Sequence, residues 1–184
     1  VWSRRLEAGF DRHRVEFAVY PSLLERAIRA GLVSGERIAG DPTLDPHGLI
    51  RMGSLKIIAD GSLGTRTAAC SHGYADDPGN HGVLTVSPEE LRELLLRAAG
   101  AGIDAAVHAI GDVALSAALD AFALAEARGT VEHAQLVRQS DLPRFARLGI
   151  AASVQPQHAL DDRDAADELW AAQTAIAYPL ASLH

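Results

Sequence analysis

The 184-residue sequence predicts an α/β fold with a parallel sheet, built as part of a TIM-type barrel, and three observations predict it. Five short β-prone runs alternate with four helical runs, and repeated βα units with buried strands form parallel sheets. Two histidines, His108 and His133, close two successive β-prone runs at their C-terminal ends, which is where barrels assemble their sites. The phosphate loop of a doubly wound sheet is missing: "DGSLGT" is not G-x-x-x-x-G-K-[ST], and "AIGDVA" holds one glycine.

Each element has its own signal. "RVEFAVYP" (14–21) reads as a strand and "SLLERAIRAG" (22–31) as a helix closing on Gly31. "SLKIIAD" (54–60) is the second strand. After a long Pro/Gly-rich loop, Ser87, Pro88 and Glu90 open a helix as cap, first residue and capping-box partner, ahead of leucines at helical spacing. "IDAAVHAI" (103–110) is a strand, and the helix after it starts on Asp112, read as its N-cap with support of His108 as the functional alternative. "TVEHAQ" (130–135) is a strand, with Glu132 alternating outward from His133. "SDLPRFARLG" is a helix capped by Ser140, and "IAASVQPQ" (150–157) is the last strand.

Composition excludes several function classes. A net charge of -7 offers no basic stripe for nucleic acid. The longest apolar run is interrupted by Asp104, His108, Asp112 and Asp120, so no segment is expected to span a membrane. Cys70 is the single cysteine and can form no internal disulfide. With no signal peptide at its start the chain is expected in the cytoplasm, acting on a small-molecule substrate.

Lys56 is the one lysine among 17 basic residues, and it lies in the apolar run "SLKIIADG". Where arginine serves nearly every other cationic position, an amine here points to chemistry a guanidinium cannot do. That chemistry is either a Schiff base with a carbonyl substrate or reaction with carbon dioxide to a carbamate, set against a lysine whose stem packs on the core while its head reaches water. Lys56, His108 and His133 fall on consecutive strands. Two imidazoles and one anionic oxygen suit zinc or a similar divalent ion in a site with an open position.

The ordered motifs "LKIIADGSLGTRTAA", "GYADDPGNHGVL", "VHAIGD", "VEHAQLV" and "ASVQPQHA" resemble the amidohydrolase superfamily, in its family 3 branch that includes N-substituted formamide deformylases. The resemblance runs from about residue 14 to the end. It implies a metal-dependent (β/α)8 hydrolase acting on a C–N bond of an amide or formamide-like substrate. Lys56 is then the carboxylated lysine of strand four, His108 the metal ligand of strand five and His133 that of strand six. Residues 14–20 become strand three and 150–155 strand seven. Near the ligands, Asp60, Arg66, Asp112, Gln135, Gln155 and His158 are expected to touch substrate or to support the ligands, Arg66 alternatively fixing its loop through a salt bridge.

Departures from the family pattern shape a further expectation. The family's H-x-H pair on strand one and its strand-eight aspartate, the general base, have no counterpart in this sequence. The 184 residues are therefore expected to be a partial barrel, about strands 3 to 7, without strands 1, 2 and 8 or the family's β-sandwich. By itself such a piece is expected to hydrolyse amides poorly, and to self-associate through open strand edges. The other readings are a non-catalytic or degenerate homologue and a Schiff-base lyase using Lys56.

Overall fold

A computed structural model describes residues 2–9, 12–38, 45 and 47–184. In chain order its elements are α1 (Trp2–Glu7), β1 (Val15–Val19), α2 (Pro21–Arg29), β2 (Ile50–Ile58), α3 (Pro88–Gly100), β3 (Ala105–Ala109), α4 (Asp112–Ala125), β4 (Gly129–His133), β5 (Leu136–Val137), α5 (Leu142–Leu148), β6 (Ala151–Ser153), α6 (Pro156–Asp161), α7 (Arg163–Leu169), β7 (Ile176–Ala177) and α8 (Leu180–Leu183). Five strands form one sheet in the order β1-β2-β3-β4-β6, every pair parallel. Sequence order equals spatial order with no reversal. A doubly wound sheet reverses its strand order at a switch point, whereas a barrel wall winds in one sense.

The helices cover one face of this sheet. Leu55, Ile57, Ala105, Val107 and Val131 point toward them and are at most 1 % exposed. They form one core with Leu24 of α2, Leu91, Leu94, Leu95 and Ala98 of α3, and Leu115, Leu119 and Phe122 of α4. The α3 positions repeat at the helical spacing that makes one apolar stripe. Its start agrees with the sequence, for Ser87 Oγ accepts the Glu90 N–H at 3.1 Å.

Three local expectations are corrected. β2 begins at Ile50 rather than 54, since Arg51 and Gly53 hide a strand in which Ile50 and Met52 are buried. Gly53 lies beside the irregularity in the β1–β2 register, where an added Cβ would sit 3.1 Å from the Phe17 carbonyl oxygen. At α5 the cap position belongs to Asp141, not Ser140, and the Asp141 carboxylate takes the Arg144 guanidinium at 2.9 Å. The cap of α4 is Gly111, not Asp112, because the backbone passes so close to Ala69 that a Cβ on residue 111 would meet the Ala69 oxygen at 2.0 Å.

A second, smaller apolar cluster lies beyond the C-terminal strand ends. Leu63, Cys70 and Tyr74 of the long loop after β2 pack with Ile110, Leu136 and, from α7 and its end, Ala166, Leu169 and Trp170. The antiparallel pair β5–β7 ties the tail back to the end of β4. Those contacts hold the loop after β2 and the α6–α7 segment over the same end of the sheet. No helix among the described residues is long and apolar enough to cross a membrane.

Candidate metal centre

The register defines which side chains share the face away from the helices. Lys56 stands opposite Ala106, and Ile58 opposite His108, which stands opposite Glu132. Side chains on neighbouring parallel strands at one level point the same way. Lys56, His108 and Glu132 therefore share a face, with Lys56 one layer deeper than the strand ends. This corrects Glu132, which does not turn away from the site. It also exposes a problem of parity, since strict alternation would send His133 to the helix side with Val131.

The backbone solves it. His133 and Ala134 have φ of 73° and 45°, consecutive residues in the left-handed region. That conformation costs on the order of 1–3 kcal/mol per non-glycine residue and persists where surrounding structure enforces it. It swings the His133 ring back beside His108, with ring centroids 4.6 Å apart and planes near perpendicular. The His158 ring lies 5.8 Å from His133. His158 belongs to α6 and Gln155 to its cap position, not to the last strand, which ends at Ser153.

Hydrogen bonds set the tautomer of His108. Its Nε2 lies 3.0 Å from the Gly61 carbonyl oxygen, and a carbonyl can only accept, so Nε2 carries a proton and, in the neutral ring, Nδ1 has the lone pair. Asp60 stands behind this arrangement, with Oδ1 3.5 Å from the same nitrogen. The Asp60 side chain is fully buried and accepts the N–H groups of Ala69, Ile110 and Gly111 at 2.8–3.0 Å. Burial pushes its pKa up, against the pull of those three donors and of His108. One carboxylate thus joins the loops after β2 and β3 and fixes the strand end that carries His108.

His133 has a different environment. Its Nδ1 is buried and has no hydrogen-bond partner among the described residues. Burial, with the charges of His108, Lys56 and His158, pulls its pKa down to about 4, so the ring is neutral at physiological pH. Burial likewise lowers the Lys56 pKa, opposed by nearby Glu132. Glu132 is itself held by the Thr130 hydroxyl at 2.5 Å.

The remaining sequence candidates separate into two groups. Asp112 is buried and ties Ser71 N–H and Arg138 Nε, both at 2.8 Å, so it braces a loop against β5's end instead of reaching His108. Arg66 pairs with Asp76 at 2.6 Å at the surface, the loop-fixing role. Gln135 is buried, and its carbonyl accepts the Tyr178 N–H at 2.6 Å beside β7. Gln155 and His158 stay with the histidines. A cavity of about 530 Å³ lies toward the N-terminal part of the polar face, lined by Glu16, Ser54 and Thr130, away from the imidazoles.

Among the described residues no three His, Cys, Asp or Glu side chains converge to hold an ion by themselves. Two imidazoles do meet, each with a nitrogen lone pair to offer, and His108 donates its other N–H to a backbone carbonyl as metal-ligating histidines do. A third ligand from this neighbourhood would be Lys56, whose ammonium form has no lone pair and whose carbamate would have oxygen donors. The donor chemistry fits a divalent ion on that condition.

A one-way parallel sheet with its histidines at the C-terminal strand ends defines the class: part of a TIM-type barrel. A model of the amidohydrolase family, family 3 branch, matches residues 15–183, and the chain belongs to that family. It is 37% identical over 132 residues to Protein LONG AFTER FAR-RED 3 of Arabidopsis thaliana, covering 68% of this chain and 23% of the relative. It is 37% identical over 117 residues to the putative amidohydrolase YtcJ of Bacillus subtilis (strain 168), covering 61% and 22%. Two solved structures of uncharacterized metal-dependent hydrolases superpose on it. The one from Pyrococcus furiosus does so with a TM-score of 0.75 at 37% identity, over 86% of this chain and 32% of that one. The one from Pyrococcus horikoshii OT3 gives 0.77 at 35% identity, over 90% and 32%. The chain thus spans under a quarter of these curated relatives and about a third of these structures.

Proposed function

We propose that the protein is a metal-dependent hydrolase of C–N bonds in amide or formamide-like substrates, and that this chain carries Lys56, His108 and His133 as ligands of a divalent ion, zinc. In this reading the five parallel strands are barrel strands three to seven, and the general base and further ligands come from outside residues 1–184. The observation that carries it is the pair of imidazoles 4.6 Å apart, one with Nδ1 freed by the Gly61 bond and the other with an orphaned Nδ1.

When bound, the ion supplies Lewis acidity at the mouth of the barrel. The chain's own residues prepare for it. Gly61 and Asp60 hold His108 in one tautomer and orientation. The buried surroundings keep His133 unprotonated at neutral pH, which leaves its lone pair available. The depressed pKa of Lys56 raises its neutral fraction, the form that adds carbon dioxide to give a carbamate and one proton. The same depression serves a Schiff base, but that chemistry leaves the two oriented imidazoles without a task.

Zinc titration of the protein tests the reading. His108→Ala and His133→Ala are each expected to weaken zinc binding by about 100-fold or more, near the loss of one first-rank ligand. Carbon-13 bicarbonate is expected to label Lys56 in native protein and not in Lys56→Met. Zinc affinity unchanged in both histidine variants removes the metal centre, and a borohydride-trapped adduct on Lys56 favours the Schiff base instead.

A further inference from the structure

Gln155 follows the C-terminal end of β6, the strand next to β4, which carries His133. In the β4–β6 pairing Ser153 stands opposite Glu132, so Gln155 lies level with the turn after His133. Three residues on, the His158 ring lies against His133. The Gln155 Nε2 donates to the Ser153 carbonyl at 2.9 Å. That bond fixes which way the carboxamide faces, because the flipped amide would set two oxygens against each other. Its Oε1 is consequently a fixed acceptor, and it is buried without a donor among the described residues.

Buried polar atoms are nearly always partnered, and an acceptor left without one weakens the fold. What relieves it must bring a donor. Gln155 stands at the cap of α6, a six-residue helix with no side-chain cap bond and no buried residue, and Gln155 is itself only half-buried. At the end of the sheet where the imidazoles meet, the matching donor is an N–H on the nitrogen side of the scissile bond.

We propose that Gln155 Oε1 accepts the amide N–H of the substrate, which makes the protein selective for amides that keep a hydrogen on nitrogen over fully N-substituted ones. The inference rests on the reading of the protein as an amide hydrolase. Gln155 is here a substrate-contacting residue, and no proton is transferred to it.

The probes are N-methylacetamide and N,N-dimethylacetamide, which differ by that hydrogen. In the native protein the first is expected to bind about tenfold more tightly, the worth of one hydrogen bond, and to move the Gln155 carboxamide resonance in a nitrogen-15 spectrum. Gln155→Met, close in shape, is expected to bring the affinity ratio to about one. Equal affinities in native protein, or a ratio that survives Gln155→Met, overturns the proposal. Should that variant fail to fold, the resonance and the affinity ratio of unaltered protein decide alone. Hydrolysis of the pair is followed in parallel. In the whole protein, which supplies the general base, turnover of neither amide with the binding preference intact overturns the hydrolase reading and leaves the acceptor in place, whereas equal turnover with equal affinities overturns the role of Gln155 alone.

Discussion

Ile57 and Ile58 are neighbours on β2, one 0% and the other 45% exposed. They mark the two faces of one sheet. Toward the helices, Ile57 joins a continuous core with leucines of α3 and α4. On the opposite face Ile58 shares its level with His108 and Glu132, and that face carries Lys56, Glu16 and a cavity. The helical face settles its own energetics, since each fully buried leucine or isoleucine contributes roughly 1.5–3 kcal/mol. The other face holds its shape by polar fastening, with Asp60 as the centre, and gains chemistry in exchange for burial. The packed face and the candidate site are thus separated by a one-residue alternation along β2 and β3.

The largest expected effect comes from removing the fastening. Asp60→Ala leaves three buried N–H donors unmatched and is expected to cost about 3–5 kcal/mol in urea unfolding, whereas Asp60→Asn, which keeps one acceptor, costs less than half of that. If both variants lose the same small amount, the polar face owes nothing to Asp60. Next comes the comparison itself. Ile57→Ala is expected to lose about 2–4 kcal/mol and Ile58→Ala under about 1 kcal/mol, so equal losses would mean that the second face is as well packed as the first.

The same contrast reaches the sheet's edges. Among the described residues β1 and β6 each pair on one side only, and unpaired edges recruit other chains. Isolated chain is accordingly expected to self-associate at micromolar concentration in light scattering, and a cooperative monomer would mean that the edges are covered. The smallest effect is a null one. Cys70 is 3% exposed, and burial pushes its thiol up to about 12, so hardly any thiolate forms at pH 8. A thiol reagent is expected to leave it untouched in native protein and to label it in denaturant; rapid native labelling would place the second apolar cluster in exchange with solvent.

Much of this frame is legible in the residues. The alternation of β-prone and helical runs gives the parallel sheet, and Ser87 with its leucines gives α3, because both rest on local periodicity and capping. β5 and β7 escape, since two-residue strands carry no period. The position of His133 escapes for a deeper reason. Alternation counted along "TVEH" puts it with Val131, and nothing in "HAQ" announces two left-handed residues in a row. Asp60 is legible as a residue near the ligands, but its role as a fastening is not, because two of its three donors come from residues 110 and 111, some 50 positions on, and the third from residue 69. Arg66 was readable as a loop clamp, but the partner that makes it one, Asp76, lies in a stretch without regular pattern.

The turn at His133 and Ala134 bears on how an ion would be received. A ligand on an ordinary flexible loop has to give up its freedom at the moment the ion arrives, and that loss is subtracted from the affinity. Here the main chain already sets the direction of the His133 side chain, so that part of its ordering belongs to folding, not to capture. The main chain thus fixes from which side of the sheet end the His133 ring is offered, before any ion arrives.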